Sequence, residues 1–372
     1  MSGALKVPAE EAGARLTIDL GAIKRNYRAL AAMTAGAECA AVVKADAYGT
    51  GIEATGPALA DAGARTFFVA HLSEARRLRA VLPDATIYVL NGLFGEALAT
   101  YADHALRPVL GSREEIEIFS AFCAATARRW PAAIHIDTGM NRLGLDLAEA
   151  ALLAEPGPHA LAFEPALLMS HFACADEPGH PLTARQIDRF AQMRALFPGV
   201  AGSLANSAGC TMAAARHDIV RPGIALYGAR FCAGRDPLEP VVRLEAPLVQ
   251  VRDVRPGDAV GYGATWTAAR PSRVGIVSVG YADGYLRAAG SAERNVRAKV
   301  RVNGVACPLA GRVSMDLIAI DLTEAGPVRR GDLVTLLGDG IGVDEIAEVA
   351  GTIGYEMLTS LGRRYNRRYT GG

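Results

Sequence analysis

Between residues 40 and 230 the chain alternates short apolar runs with longer amphipathic ones. Ala40–Val43, Thr66–Ala70, Thr86–Leu90, Leu106–Leu110, Ala133–Asp137, Ala166–His171, Val200–Ala205 and Ile219–Tyr227 are dominated by small, β-branched and aromatic residues. Strands of a parallel sheet are covered on both faces, and such runs satisfy both. Between them, Ser73–Leu82, Ser112–Arg129 and Thr183–Phe197 repeat their apolar residues at helical spacing, leaving one face for a core and one for water. Eight strands alternating with helices predict a TIM barrel, (β/α)8, with a doubly wound open sheet as the alternative. No G-x-G-x-x-G follows a strand, which favours the barrel.

The pattern changes near Gly234–Pro240. Beyond it come Val241–Val254, Ala259–Gly261, Val274–Val279, Lys299–Val302, Leu317–Leu322 and Leu333–Leu336, short and alternating. They are separated by R-P-G-D (255–258), N-G (303–304), R-R-G-D (329–332) and G-D-G (338–340). Turn chemistry at that spacing predicts a mainly-β domain, closed by short helices at Val343–Val349 and Glu356–Arg364. The expected division is a barrel over residues 1–238 and a β-rich domain over 239–372, with Leu16–Leu20 free to pair with the second.

Composition narrows the partners. Lysine and arginine total 39 against 39 aspartates and glutamates, so bulk charge recruits neither nucleic acid nor a membrane surface. No apolar run is long enough for a membrane span and the first 15 residues lack a secretory apolar core, so a cytoplasmic protein is expected. The 6 cysteines show no C-x-x-C spacing and the 7 histidines no H-x-x-x-H pair, so neither a disulfide framework nor a metal site is expected.

Barrel chemistry gathers where strands end. Those ends carry Lys44 and Tyr48 after the first strand, Arg142 beyond the fifth, His171 at the sixth, Ser207 and Gly209 after the seventh, and Arg221, Gly223 and Ile224 at the eighth. A lysine on a buried strand end loses water, which favours the free amine that attacks carbonyls. Loops after the seventh and eighth strands commonly bind phosphate, for which Ser207 offers a hydroxyl and Gly209 and Gly223 allow close approach of backbone N–H groups. Together these suggest a phosphorylated aldehyde held as an imine, with pyridoxal 5'-phosphate as the candidate. Each piece also has a plain reading: a snorkelling lysine, turn glycines, a satisfied histidine, half of a surface ion pair. Their shared rim favours the functional one.

Several motifs resemble alanine racemase: A-V-V-K-A-D-A-Y-G-T-G (41–51), I-D-T-G-M-N-R-L-G (136–144), S-H-F-A-C-A-D (170–176), A-N-S-A-G (205–209), V-R-P-G-I-A-L-Y-G (220–228), G-Y-G-A-T-W (261–266), G-Y-A-D-G-Y (280–285) and G-R-V-S-M-D (311–316). The resemblance spans nearly the whole chain in order. It implies a fold type III enzyme that interconverts L- and D-alanine, built as a head-to-tail homodimer with shared active sites. By the same resemblance, Lys44 binds the cofactor and acts as one catalytic base, and the partner subunit's Tyr262 acts as the other. Tyr48, Ser207, Gly223, Ile224 and Tyr355 match positions around the phosphate, Arg221 the pyridine-nitrogen donor and His171 the histidine that supports Tyr262. Arg142 and the backbone of the partner subunit's Met315 match substrate-carboxylate contacts, while Tyr281 and Tyr355 match tyrosines that narrow the entrance. Two bases on opposite faces are what inversion of a carbon centre requires.

The chain also departs from the common pattern. Asp46 replaces a frequent Asn, Thr50 a frequent His, Ser314 a frequent Cys, and R-Y-N-R (364–367) a frequent R-V-P-R. His135 stands where many members of the family carry a lysine whose carbamate steadies the substrate arginine. Imidazole forms no carbamate, so Arg142 needs a bound anion or another side chain, Asn141 and Asp137 being near in sequence, or else His135 only packs. Competing readings are a broader racemase that also accepts serine, a fold type III decarboxylase, and a cofactor carrier. The segment around Tyr262 and G-Y-A-D-G-Y favours a racemase over a decarboxylase, and the β-rich domain argues against a barrel-only carrier.

Overall fold

In a computed structural model, which describes residues 7–157, 160–177, 179–290 and 298–372, the apolar runs become parallel strands. The chain forms two units, one of residues 23–47 and 51–239, the other of residues 1–22, 48–50 and 240–372. In chain order, β1 (Arg15–Asp19) and α1 (Leu20–Met33) lead into β2 (Glu38–Cys39), β3 (Ala41–Val42) and the turn α2 (Lys44–Tyr48). Then come α3 (Ile52–Ala62), β4 (Thr66–Val69), α4 (Leu72–Val81), β5 (Thr86–Val89), α5 (Leu98–Asp103), β6 (Arg107–Leu110) and α6 (Arg113–Ala125). β7 (Pro131–His135), α7 (Leu147–Ala154), β8 (Glu164–Met169), α8 (Pro181–Leu196), β9 (Gly202–Ser203) and β10 (Ile219–Val220) follow.

Strands β3 to β9 pair in sequence order as one parallel sheet. The eighth strand bonds on both sides: Asp218 and Arg221 donate to Gly202 and Ala205, while Ala40 and Val42 donate to Val220 and Pro222. Those bonds close the ring. Its helices start where the sequence supplies caps. The Ser112 hydroxyl accepts from Glu115 N to start α6, Asp146 does the same for α7, and Pro181 opens α8. One expected strand is much shorter. Ile219–Tyr227 keeps two strand residues and continues as a 3₁₀ turn at Ile224–Tyr227, because Pro222 has no N–H for the ladder.

The other unit is organised around β11 (Val242–Val254). After it come β12 (Ala259–Val260), β13 (Trp266–Thr267), β14 (Ser272–Val277), β15 (Lys299–Val302), β16 (Val305–Pro308), β17 (Ile318–Asp321), β18 (Leu333–Leu337), α9 (Val343–Ala350), α10 (Gly354–Ser360) and β19 (Asn366–Thr370). β11 pairs with β1, β18 and β14, and β1 also takes β19 in parallel on its other edge. Asn303 and Gly304, both at positive φ, join β15 to β16 in a two-residue hairpin. Sequence patterning missed β13, β16 and β19. Among the described residues no helix is long and apolar enough to cross a membrane.

Candidate active site

Lys44 opens α2, which is a left-handed turn: φ is 53° at Ala45, 56° at Asp46, 54° at Ala47 and 53° at Tyr48. Each non-glycine residue in that conformation costs roughly 1–2 kcal/mol, so the turn has to be held from outside. Glu74 does this first. Its Oε1 accepts from Asp46 N at 3.2 Å, and its Oε2 from Ala70 N at 2.9 Å and His71 N at 3.2 Å. Asp46 Oδ1 accepts from Ile52 N at 3.1 Å and from Arg77 Nη2 at 2.6 Å, and Arg77 also pairs with Glu53 at 2.6 Å. Neither Glu74 nor Arg77 drew notice in the sequence. The only local signal is that Glu74 occupies the third position of α4 in a capping box. Burial and then the nearby Arg142 lower the Lys44 pKa, with Glu74 opposing them. The balance shifts toward the free amine.

Four more of the expected residues share this electrostatic neighbourhood. Arg221 is buried, its Nη1 donating to the Ser203 hydroxyl and its Nη2 to the Ser170 carbonyl. Burial lowers its pKa to about 10. His171 sits well below the ordinary histidine range because of burial, then Arg221, Arg142 and Lys44. His135 is lowered to about 4 by burial, then Arg221 and Arg142. Both imidazoles are therefore neutral near pH 7. Among the described residues no carboxylate forms an ion pair with Lys44, Arg142 or Arg221. Two guanidiniums without carboxylate partners, beside the Lys44 amine and neutral rings, suit a ligand bearing phosphate and carboxylate groups, as pyridoxal phosphate with an amino acid would.

The two loops expected to hold phosphate meet through Ser207. Its Oγ accepts from Gly223 N at 2.9 Å and Ala225 N at 3.3 Å, so its own proton remains to be donated. Gly209 N is already bonded to Asn206 Oδ1 at 2.9 Å. The glycine amides anticipated as anion donors are thus both committed, because side-chain oxygens in the same loops cap them. Ile224 N, opening the 3₁₀ turn, has no protein partner among the described residues.

The second unit carries the remaining residues. Tyr48 is buried and its ring lies 6.1 Å from that of Tyr355, at 50°. Burial, then Tyr355, raises the Tyr48 phenol. Tyr281 N donates to Ser314 O and Ala282 N to Met315 O, both at 3.0 Å, so the segments carrying Tyr281 and Met315 are bound edge to edge. Gly280 permits that approach, since a Cβ there would sit 2.1 Å from Met315 O. Asp283 accepts from Gly280 N at 2.9 Å and pairs with Arg364 at 3.2 Å, while Arg364 also pairs with Asp316 at 2.8 Å. Arg364, the part of R-Y-N-R that does not depart from the common pattern, therefore braces this loop pair. Tyr262, by contrast, is 75% exposed on the connection between β12 and β13.

Comparison with known proteins identifies the family. Residues 18–231 match the alanine racemase N-terminal domain and residues 241–369 the alanine racemase C-terminal domain. Alanine racemase from Methylobacterium nodulans is 56% identical over 365 residues, 97% of each chain. Two Agrobacterium fabrum proteins, named alanine racemase, biosynthetic and alanine racemase, catabolic, are each 44% identical, covering 97% and 96% of this chain and 94% and 92% of their own. The crystal structure of alanine racemase from Bartonella henselae with covalently bound pyridoxal phosphate superposes with a TM-score of 0.90 at 39% identity, covering 96% of this chain and 99% of that one. By both domain matches, by identity along its length and by fold, this chain belongs to the alanine racemase family of amino-acid isomerases.

Proposed function

We propose that this chain interconverts L- and D-alanine with pyridoxal 5'-phosphate held covalently by Lys44, as a homodimer whose sites combine both subunits. The observation that carries the reading is the trio of Lys44, Arg142 and Arg221, basic groups without carboxylate partners among the described residues at the strand ends of the barrel. When bound, the cofactor supplies an electron sink that acidifies the hydrogen on the substrate's α-carbon. Lys44 takes or returns that proton on one face, its lowered pKa keeping a reactive share of free amine. The partner subunit's Tyr262 serves the opposite face; its exposure in a single chain suits a residue completed by a second subunit.

Arg221 offers the pyridine nitrogen a donor and no acceptor, which leaves that nitrogen unprotonated. His171, neutral, relays the influence of Arg221 toward the phenol. Ser207 Oγ and Ile224 N donate to the phosphate, Gly223 acts by orienting Ser207, and Tyr48 and Tyr355 border the same group. Arg142 and the backbone of the partner subunit's Met315 receive the substrate carboxylate. Tyr281 and Tyr355 narrow the entrance, which favours alanine and then serine over longer side chains. Supply of D-alanine for peptidoglycan and its breakdown use the same chemistry. We place the enzyme in the cytoplasm.

The test is racemisation of alanine, serine and longer amino acids by the loaded protein, followed by borohydride reduction and peptide mapping. Both alanine enantiomers should convert and the pyridoxyl label should lie on Lys44. A label on another lysine, or release of carbon dioxide instead of racemisation, overturns the reading.

A further inference from the structure

Arg221 is 4% exposed, yet both oxygens it reaches are uncharged. A buried guanidinium ordinarily pairs with a carboxylate, because an uncompensated charge is costly there. None pairs with this one among the described residues. What holds it instead is a built frame. Ser203 is fully buried and its Oγ donates to Ile219 O at 2.6 Å, which fixes the hydroxyl and turns its lone pairs to Arg221. Ser170 N donates to Ser203 O at 3.1 Å, so the two acceptors are fixed relative to each other across adjacent strand ends. Behind them, Thr138 and Ser170 share a 2.7 Å hydroxyl bond, and Gln186 Nε2 reaches Thr138 Oγ1 at 3.1 Å and His171 O at 2.8 Å.

We propose that Ser203 is the positioning residue of Arg221, holding the guanidinium by a neutral acceptor so that its charge stays undiminished toward His171 and toward the ring nitrogen of the cofactor. This rests on the functional reading above. A carboxylate at 203 would hold Arg221 at least as firmly, since a charge-assisted pair is stronger than a bond to a hydroxyl. It would also cancel most of the guanidinium's field a few ångströms away. Holding and charge therefore separate at this position: a merely structural Ser203 tolerates aspartate, and the proposed one does not.

Three variants read this out in full-length protein loaded with pyridoxal phosphate. The measurements are absorbance of the bound cofactor from about pH 6 to pH 10, kcat and KM in both directions, and the melting temperature without cofactor. Ser203→Thr keeps the hydroxyl and should keep the wild-type pH profile. Ser203→Ala leaves Nη1 without its acceptor; kcat should fall about tenfold, the effect of one lost charge-assisted bond, with KM within about twofold. Ser203→Asp should melt no lower than Ser203→Ala, yet lose about a hundredfold in kcat and shift the absorbance profile. Ala and Asp variants that keep the wild-type profile and kcat overturn the proposal. If the Asp variant does not fold, the Ala and Thr variants decide: separated profiles support it and equal ones overturn it. A borohydride label away from Lys44 in wild type would instead remove the functional reading, so the two failures are told apart.

Discussion

His135 ends β7 with 7% of its surface exposed, and its lowered pKa of about 4 changes what pH should do. A histidine with the ordinary pKa near 6.5 would charge in mild acid and oppose substrate binding through Arg142. Burial and two arginines keep it neutral there instead, so KM should show no His135-dependent acid limb between about pH 5 and pH 8. The cost falls on folding. The unfolded chain takes up this proton near pH 6.5 and the folded chain only near 4, so stability declines as pH falls through that window, by up to ~3 kcal/mol. Denaturant unfolding at pH 7 and near pH 4.5 should show a smaller acid loss in His135→Asn than in wild type, and equal losses would refute the shift. Arg142 has no side-chain partner among the described residues, and Asp137 Oδ1 is occupied by the amides of Gly139 and Met140. With no lysine at 135 to carbamylate, stripping bicarbonate should leave activity unchanged.

At the scale of elements, the left-handed turn α2 stores conformational energy that α4 offsets through Glu74 and Arg77. Arg77 is half-buried and bonds both Asp46 and Glu53. Arg77→Leu should cost about 1 kcal/mol of stability, in the range of a partly exposed charged network. Its sharper effect should be slower covalent capture of pyridoxal phosphate, because the turn no longer presents Lys44 in one conformation. Stopped-flow absorbance measures that rate, and an unchanged rate with lowered stability would show the clamp to be only structural. The contact between Gly280 and Met315 makes a parallel case. Gly280→Ala drives a Cβ toward Met315 O, so overpacking of about 1–3 kcal/mol is expected. KM should rise more than kcat falls, since the displaced backbone is the proposed carboxylate contact.

The whole molecule is where the shared-site reading stands or falls. The residues assigned to one reaction divide between two units of the chain, with Lys44, Arg142, His171, Ser207 and Arg221 in one and Tyr48, Tyr262, Tyr281, Met315 and Tyr355 in the other. If the partner subunit's Tyr262 completes each site, Lys44→Ala and Tyr262→Phe chains are separately inactive. Mixed and allowed to exchange, they form heterodimers in which one site collects both defects and the other none. With equal amounts assorting at random, half of the dimers are heterodimers with one intact site of two, so about a quarter of wild-type activity should return. A mixture that verifiably exchanges subunits and stays inactive would exclude sharing.

Local chemistry determined a good deal by itself. Strand cores follow from apolar runs such as Thr66–Val69, because a buried parallel strand needs apolar residues on both faces. The β15–β16 turn follows from Asn303-Gly304, which tolerate positive φ, and the strand-end rule placed Lys44, His171 and Arg221 on one rim. Other features were decided by packing alone. The residues K-A-D-A-Y carry no glycine and no signal of a left-handed turn; the turn exists because Glu74 and Arg77 are brought against it. N-R-R-Y-T (366–370) is too polar to read as a strand, and becomes β19 because β1 offers an unpaired edge. Ser203 and Gln186 are ordinary polar residues in sequence; only the meeting of β9, β10 and α8 sets them around Arg221 and His171. A side chain's tendency to be buried is a property of the residue, whereas its hydrogen-bond partner is a property of whatever the closed barrel places beside it.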